Sequence, residues 1–372
     1  MKRIAILFVT LCLLLSGCAT WMDGSHVSVK AHREGNIQTE PGNVTVSSYR
    51  EMVAALEDMV ERGTEQGVIY LASLEQSEAE NHMDSAVRSV INTHPIGAYA
   101  VEQITYDYGT NAGQPALAVN IEYRYDRSEI RRIRKLAGMD EVKTAIITAL
   151  QSYDTSLVVR VKQYVKQDFE QFVQDYADKN PQLVIEVPQT VANVYPETGN
   201  DRVVELKFTY QTSREDLRVM QSRVLEMFNS AETYVSGDRS QYEKFTRLYS
   251  WLIEPGDYTL ETSITPAYSL LDHGVGDSKA IATVYAALCR QAGLECMVVS
   301  GTRAGEPWFW NMICDEGNYF HVDLLRCDEQ GNFIEASDAD MEGYVWDYSA
   351  YPQAGIPEPP EATEPSEPAP TE

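Results

Sequence analysis

Three short segments near the C-terminal end of the chain decide its fold: GVGDSKA at residues 274–280, WFWN at 308–311 and YFHVD at 319–323. The first segment opens a run in which apolar side chains recur at three- and four-residue intervals: Ala280, Ile281, Val284, Tyr285 and Leu288. That spacing predicts a helix, with Asp277 or Ser278 as its N-cap. The other two segments have the composition of strands. We therefore predict a helix packed on an antiparallel sheet.

The order and spacing of these segments resemble the nucleophile, histidine and aspartate motifs of the transglutaminase-like superfamily. In that family the motifs are typically G-x-C-x-G-Y-A, H-A-W-N and W-Y-H-V-D. On this alignment Gly276 stands at the cysteine position, Trp308 stands at the histidine position, and Asp323 keeps the aspartate. The resemblance implies a papain-type fold over residues 236–352.

The two exchanged positions remove the groups that the family's chemistry requires. A thiolate nucleophile of this type lies at a helix N-terminus and is paired with a histidine. Gly276 has no side chain that attacks a substrate, and the indole of Trp308 cannot accept a proton near neutral pH. Because the loss of either member of such a pair removes most of the rate enhancement, we predict a catalytically inactive domain.

A substitute set of catalytic residues stays open as an alternative. Ser278 lies two residues after the nucleophile position and would need His273 or His321 as its base, with Asp323 beside them. The simpler interpretation makes Ser278 a cap and both histidines structural or solvated. No recognised ligand spacing is present, so we predict neither a metal nor a cofactor. The possible metal ligands are Asp272, His273, Asp277 and Asp323.

Without chemistry, the cleft becomes a candidate binding surface. Its candidate residues are Trp308, Asp277, Ser278 and Asp323. An indole at Trp308 would stack on a sugar or clamp a peptide, or else it plugs the vacant cleft. Alternation along a strand places Trp308 and Trp310 on one face, and Trp310 matches the family's own tryptophan, so we predict a structural role for it.

The N-terminus predicts export and lipidation. A basic pair precedes the apolar run of residues 4–15, and LSGC follows at 15–18. That order is typical of a secretory signal and resembles the bacterial lipobox, in which the cysteine is diacylated. The apolar run is shorter than the roughly 20 residues that span a bilayer. We predict a signal peptide at 1–17, lipidation of Cys18 and a flexible tether at 18–45.

Charge restricts the partners. The chain has 56 acidic and 30 basic residues, and its formal net charge is −26. Such a balance argues against nucleic acid and against direct attraction to anionic lipid. We therefore predict attachment to the extracytoplasmic face of a bacterial membrane through the lipid alone.

The middle of the chain contains a predicted duplication. We predict two β-α-β-β-α repeats, at residues 46–150 and 151–235, and hence an α+β fold in which they precede the transglutaminase-like domain. The closest echo pairs IEYRY at 121–125 with LKFTY at 206–210, each followed three residues later by a serine. The second repeat includes a strand predicted over 183–195.

Two further features concern the C-terminal part. Cys289, Cys296, Cys314 and Cys327 are either free or include a Cys296–Cys314 disulfide, which export permits. The segment at 353–372 is rich in proline and glutamate and predicts a disordered acidic tail.

The leading hypothesis is a membrane-anchored lipoprotein whose inactive transglutaminase-like domain binds a cell-envelope peptide, glycan or protein partner. One alternative is a hydrolase or transferase that acts on envelope polypeptides through a non-standard site. Another is a structural component of an assembly.

Overall fold

The computed structural model describes residues 44–253 and 258–355. The predicted signal peptide and Cys18 lie outside the described residues, as do most of the predicted tether and most of the predicted tail. Within the described residues, no helix has the length and apolar composition needed to cross a membrane.

The helices and strands alternate along the chain, which confirms the predicted α+β class. The described residues contain eleven α-helices: α1 (Tyr49–Glu61), α2 (Gln76–Thr93), α3 (Pro95–Ala100), α4 (Arg127–Arg132), α5 (Met139–Gln151), α6 (Phe169–Lys179), α7 (Arg214–Val235), α8 (Gln241–Ile253), α9 (Pro266–His273), α10 (Ser278–Gln291) and α11 (Leu324–Gln330). The strands are β1 (Val44–Val46), β2 (Gln66–Leu71), β3 (Val101–Asn111), β4 (Gln114–Tyr123), β5 (Arg134–Gly138), β6 (Ser156–Gln163), β7 (Gln189–Tyr195), β8 (Arg202–Thr209), β9 (Cys296–Arg303), β10 (Glu306–Asp315), β11 (Asn318–Val322) and β12 (Tyr344–Trp346).

The chain divides into two compact units. The first unit comprises the residues up to Val142, Val158–Val165 and Asn193–Glu205; the second comprises Lys143–Leu157, Lys166–Ala192 and the residues from Leu206 onward.

The first unit is built on a sheet with the strand order β1-β2-β4-β3. β1 runs parallel to β2, and β4 runs antiparallel to β2 and β3. α1 begins after Ser48, whose Oγ accepts a hydrogen bond from the Glu51 N–H at 3.4 Å. From there Met52 and Leu56, one turn apart, are fully buried. This one-sided apolar pattern lets α1 pack on α2 and cover the core.

The α2–α3 junction of the first unit accepts only glycine at one position. A Cβ atom at Gly97 would lie 2.1 Å from the Val90 carbonyl oxygen, well inside van der Waals contact. The Gly97 N–H donates a hydrogen bond to Nδ1 of His94, the N-cap of α3.

A second sheet has the order β5-β6-β8-β7, with β5 parallel to β6. In both sheets the strands therefore follow the order first, second, fourth, third. The duplication itself stays a prediction. The strand expected over residues 183–195 begins only at Gln189. Ahead of it, the buried Glu186 carboxylate accepts hydrogen bonds from the backbone N–H groups of Gln211 and Thr212, at 2.5 and 3.0 Å. This bonding holds the segment out of the sheet.

The second unit contains the helix and antiparallel sheet predicted from the three segments. Its strand order is β11-β10-β9-β12, and every neighbouring pair is antiparallel. α10 packs on β9 and β10, and its buried side chains join a core with α7, α8 and α9. β12 approaches β9 closely because Gly301 has no side chain: a Cβ there would lie 2.2 Å from the Val345 carbonyl oxygen.

All four described cysteines are free. Cys296 lies opposite Ile313 on β10, whereas Cys314 lies opposite Tyr319 on β11, so the alternative disulfide does not form. Burial raises the pKa of the Cys289 thiol well above its ordinary value. That thiol is therefore a poor nucleophile.

Candidate functional site

The fold brings the three sequence segments together. α10 packs on β10, where the Phe309 N–H donates a hydrogen bond to Ser278 Oγ at 3.3 Å. One residue earlier, Trp308 Nε1 donates to Asp323 Oδ2 at 2.9 Å. The three sequence segments are thus linked by two hydrogen bonds. We call Gly276, Ser278, Trp308 and Asp323 the cleft residues.

Gly276 lies just before the capped N-terminus of α10. Of the two residues predicted as alternative caps, Asp277 is the N-cap of α10: its Oδ1 accepts a hydrogen bond from the Ala280 N–H at 2.8 Å, whereas Ser278 is the first residue of the helix. The Gly276 N–H donates to the Thr259 carbonyl at 3.0 Å. A Cβ at Gly276 would lie 3.1 Å from Cδ1 of Leu270, the flexible end of that side chain. The position therefore admits a small side chain after a slight shift.

Asp323 is buried and fully occupied. Besides Trp308, the Tyr344 hydroxyl donates to its Oδ2 at 2.7 Å. Its Oδ1 accepts hydrogen bonds from the N–H groups of Leu325 and Arg326, at 3.1 and 3.4 Å, and so caps α11. Asp323 is only 5% exposed. A buried carboxylate requires several donors, and here they come from β10, β12 and α11.

Trp308 is half-buried beneath an arginine. The Arg303 guanidinium lies 5.3 Å from the Trp308 ring and 5.7 Å from the Tyr344 ring, within cation–π range. Arg303 also pairs with Glu329 at 2.7 Å, and this hydrogen bond raises the pKa of Arg303. The Asp323 carboxylate is 3.7 Å from the guanidinium. The indole is therefore fixed on three sides: by Asp323, by Arg303 and by the core beneath it.

The substitute catalytic set does not assemble. Within the described residues, Ser278 Oγ has a hydrogen bond only from the Phe309 N–H, and none with a histidine or carboxylate. The His273 side chain is 57% exposed and lies 3.6 Å from Asp272. His321 is fully buried: it accepts a hydrogen bond from Trp310 Nε1 at Nδ1.

His321 is instead a structural residue. Its Nε2 lies 2.9 Å from Asp338 Oδ1, so both ring nitrogens have partners. Burial lowers the pKa of His321, although Asp338 opposes this effect. The predicted structural role of Trp310 fits this arrangement, because Trp310 is 1% exposed and its N–H reaches His321. As for metal, the described residues contain no group of three or more histidine, cysteine or acidic side chains able to hold an ion.

Comparison with known proteins gives one family. Residues 229–324 match the family model described as Transglutaminase-like superfamily. The second unit contains a transglutaminase-like domain. None of the curated proteins compared with the chain matches it.

Three solved structures have some similarity to the chain. One is described as a TGase, with 10% identity, a TM-score of 0.26, and coverage of 48% of this chain and 56% of its own. A candidate cysteine protease from Cytophaga hutchinsonii has 14% identity, a TM-score of 0.24, and coverage of 42% and 70%. A candidate protease from Parabacteroides distasonis ATCC 8503 has 8% identity, a TM-score of 0.23, and coverage of 59% and 39%. The chain thus spans little more than half of the first, and TM-scores this low add nothing to the family match.

Two residues at the centre of the transglutaminase-like domain escaped the sequence analysis. Tyr344 and Arg303 lie directly opposite each other on β12 and β9, and both converge on Asp323. Tyr344 lies beyond the residues matched by the family model. No local motif marks either residue, because their proximity depends on a strand pairing across about forty residues of chain. A buried aspartate in need of donors is the signal that could have prompted a search for them.

Proposed function

We propose that this chain is an extracytoplasmic, lipid-anchored protein whose transglutaminase-like domain is catalytically silent and binds a peptide, glycan or protein of the cell envelope. One observation carries the proposal: the Trp308 indole N–H occupies the Asp323 oxygen that a catalytic histidine would use. The lipobox-like sequence ending at Cys18 supports the location.

Catalytic inactivity is proposed because the site lacks a group that accepts the proton of a nucleophile. In a cysteine–histidine–aspartate arrangement, the carboxylate orients an imidazole that accepts the thiol proton. The Trp308 Nε1–H can donate to Asp323 but has no lone pair with which to accept a proton. Gly276 supplies no nucleophile, and Ser278 has no base within hydrogen-bonding distance among the described residues. Acyl transfer therefore lacks both a nucleophile and a base.

A binding role is proposed because of the segment beside Gly276. Residues 258–265 run along the N-terminal end of α10, joined by the Gly276–Thr259 hydrogen bond and by Thr262 Oγ1 to Asp277 Oδ2 at 3.0 Å. Leu260 and Ile264 in this segment are 53% and 50% exposed. Exposed apolar residues beside the N-terminus of α10 are typical of a docking surface. The cleft residues and this segment together form the proposed binding surface.

Calorimetry on the full mature chain tests the binding. The probes are soluble peptidoglycan fragments, and separately a pool of extended peptides. We expect at least one probe to bind, and Trp308→Ala to weaken that binding at least tenfold. Tyr348→Ala is the matched control, because Tyr348 is also aromatic, is 61% exposed, and lies outside the proposed surface. Binding that survives Trp308→Ala, or no binding to any probe, would contradict the proposal.

Activity assays test the silence. Amide and ester substrates should show no turnover above background in the full chain. Turnover that disappears in Ser278→Ala would replace a binding role with a catalytic one. Turnover that persists in Ser278→Ala would point to a site outside the cleft residues and would also contradict the proposal. The location is tested by mass spectrometry of the membrane fraction: Cys18→Ala should abolish the lipid mass and release the chain.

A further inference from the structure

His94, in the first unit, is buried with both of its ring nitrogens in use. It is 7% exposed. Its Nδ1 accepts the Gly97 N–H at 3.2 Å, and its Nε2 lies 3.3 Å from Glu61 Oε1. Because Nδ1 accepts, hydrogen bonding assigns the single imidazole proton to Nε2, which donates to Glu61. The observed geometry therefore requires neutral His94.

The charges around His94 balance only while the ring is neutral. Arg160 pairs with Glu61 through Nη1 and makes two hydrogen bonds of 2.8 Å with Asp201. Lys135 Nζ lies 2.5 Å from Glu61 Oε2. Two cations thus face two carboxylates. Glu57, one turn before Glu61 on α1, is the next acidic group, and burial raises its pKa.

Beside His94, the backbone of α3 approaches the backbone of α2 closely at Gly97. Gly97 touches the Val90 carbonyl so closely that a Cβ would lie 2.1 Å from it. The His94 backbone N–H also donates to the Val90 carbonyl at 3.2 Å. The end of α2 and the start of α3 are therefore held together around one imidazole.

We propose that His94 is an acid-sensitive latch that fixes the first turn of α3 to the C-terminal end of α1. Protonation places a second N–H on the ring, at Nδ1, where it points at the Gly97 N–H. Two donors then face each other, and the cap of α3 is lost. The same proton adds a positive charge beside Arg160. Both effects favour release of the α2–α3 junction.

The direction of the pH dependence follows from the surroundings. Burial lowers the pKa of His94, Arg160 lowers it further, and Glu61 opposes them. An unfolded histidine has a pKa of about 6.5. The unfolded chain therefore takes up the proton more readily than the folded chain does. The stability contributed by the latch is complete above about pH 6.5 and is lost as the pH falls through the lowered folded value.

Hydrogen exchange on the full chain tests the latch. Exchange is followed from pH 7.5 to pH 4.5 in peptides that span residues 90–101, with correction for the intrinsic exchange rate. We expect protection of α3 to fall at least tenfold in acid. In His94→Asn the protection should not depend on pH, because an asparagine oxygen still caps the helix and does not take up a proton. His82→Asn, at a half-buried position earlier in α2, is the control and should keep the parent behaviour.

Two results would overturn the latch: protection of α3 that does not change with pH in the parent chain, or the same acid loss in His94→Asn. If His94→Asn does not fold, nitrogen NMR of the parent histidines decides. Nδ1 of His94 should stay unprotonated to lower pH than an unfolded histidine, whose pKa is about 6.5. Titration of His94 at that unfolded value would equally rule the latch out.

Discussion

The two compact units each contain a buried polar centre, and the two centres satisfy their charges in different ways. In the first unit, Arg160 is 8% exposed and has charged partners, including Asp201 at 2.8 Å. In the second unit, Asp323 is 5% exposed and accepts its shortest hydrogen bonds from the neutral groups of Trp308 and Tyr344, at 2.9 and 2.7 Å. One centre is a balanced ion cluster, and the other is a carboxylate held by aromatic donors.

The difference concerns what each centre contributes to the protein. An ion cluster of low exposure stabilises only while every partner is present, because a lone buried charge is costly. The Asp323 carboxylate, by contrast, accepts its shortest hydrogen bonds from uncharged groups, so these bonds do not depend on a charged partner. Under the proposed function, the second arrangement is that of an aspartate whose catalytic partner has been replaced by an indole N–H. We infer that Asp323 now has a structural role that links β10, β12 and α11.

The largest effect is expected from removing the cation of the first centre. Arg160→Leu leaves Glu61 and Asp201, whose side chains are 26% and 39% exposed, without their main partner. The loss should lie between the about 0–1 kcal/mol of an exposed pair and the about 3–5 kcal/mol of a fully buried one. Burial alone would raise the pKa of Glu61, but Lys135 and Arg160 together lower it to about 2. The variant should therefore lower the free energy of unfolding at pH 7, measured with urea.

Arg214→Leu is the control for that experiment. Arg214 also pairs with an aspartate, Asp154, at 2.8 Å, but the two side chains are 49% and 42% exposed. Exposed pairs contribute about 0–1 kcal/mol. Equal losses of unfolding free energy in the two variants would contradict the prediction, because burial of Arg160 would then add nothing to the strength of its ion pairs.

A smaller loss is expected at the second centre. Asp323→Asn keeps the shape, but an amide nitrogen placed at the Oδ2 position would face the N–H of Trp308 and the hydroxyl of Tyr344. Leaving a buried donor unsatisfied costs about 1–3 kcal/mol. We expect a decrease of that size in the free energy of unfolding, together with a change in tryptophan fluorescence as the indole loses its acceptor.

Asp277→Asn is the matched control for the second centre. Asp277 also caps a helix, at the start of α10, but asparagine is an equally good N-cap, so the change should be within about 0.5 kcal/mol. If Asp323→Asn were as mild as this control, Asp323 would be only a remnant of a lost site and not a structural centre.

The sequence predicted the second centre far better than the first. Local signals were sufficient to limit the α10 cap to Asp277 or Ser278 and to predict a strand through Trp308 and Trp310, because each depends on neighbours a few residues away. The pair of Arg160 and Glu61 joins positions 99 residues apart. No periodicity or motif marks such a pair, since it forms only when the topology brings β6 to the end of α1. The loss of a strand before Gln189 has the same origin, a tertiary contact of Glu186.

The smallest expected effect concerns the pH dependence of stability, which should have opposite directions in the two units. Among the described residues, no hydrogen-bond partner reaches the buried Oε1 atom of Glu335 in the second unit, and none reaches the buried Oδ1 atom of Asp315. Burial, and then the charge of Asp315, raise the pKa of Glu335 to about 7 from an ordinary value of 4.5. Because the folded pKa is the higher one, the stability that Glu335 contributes is complete below pH 4.5 and is lost as the pH rises through about 7.

Glu335→Gln should remove this loss, since an amide has no charge to lose a proton from. After allowance for solvent screening, we expect about 1 kcal/mol less change in the free energy of unfolding between pH 5 and pH 8. Glu306→Gln, at an exposed position of β10, is the control and should follow the parent curve. The first unit is expected to lose stability in acid through His94, and the second in alkali through Glu335. If the curve of unfolding free energy against pH ran parallel in Glu335→Gln and the parent, Glu335 would not explain any loss of stability at higher pH. The proposed contrast between the two units would then fail.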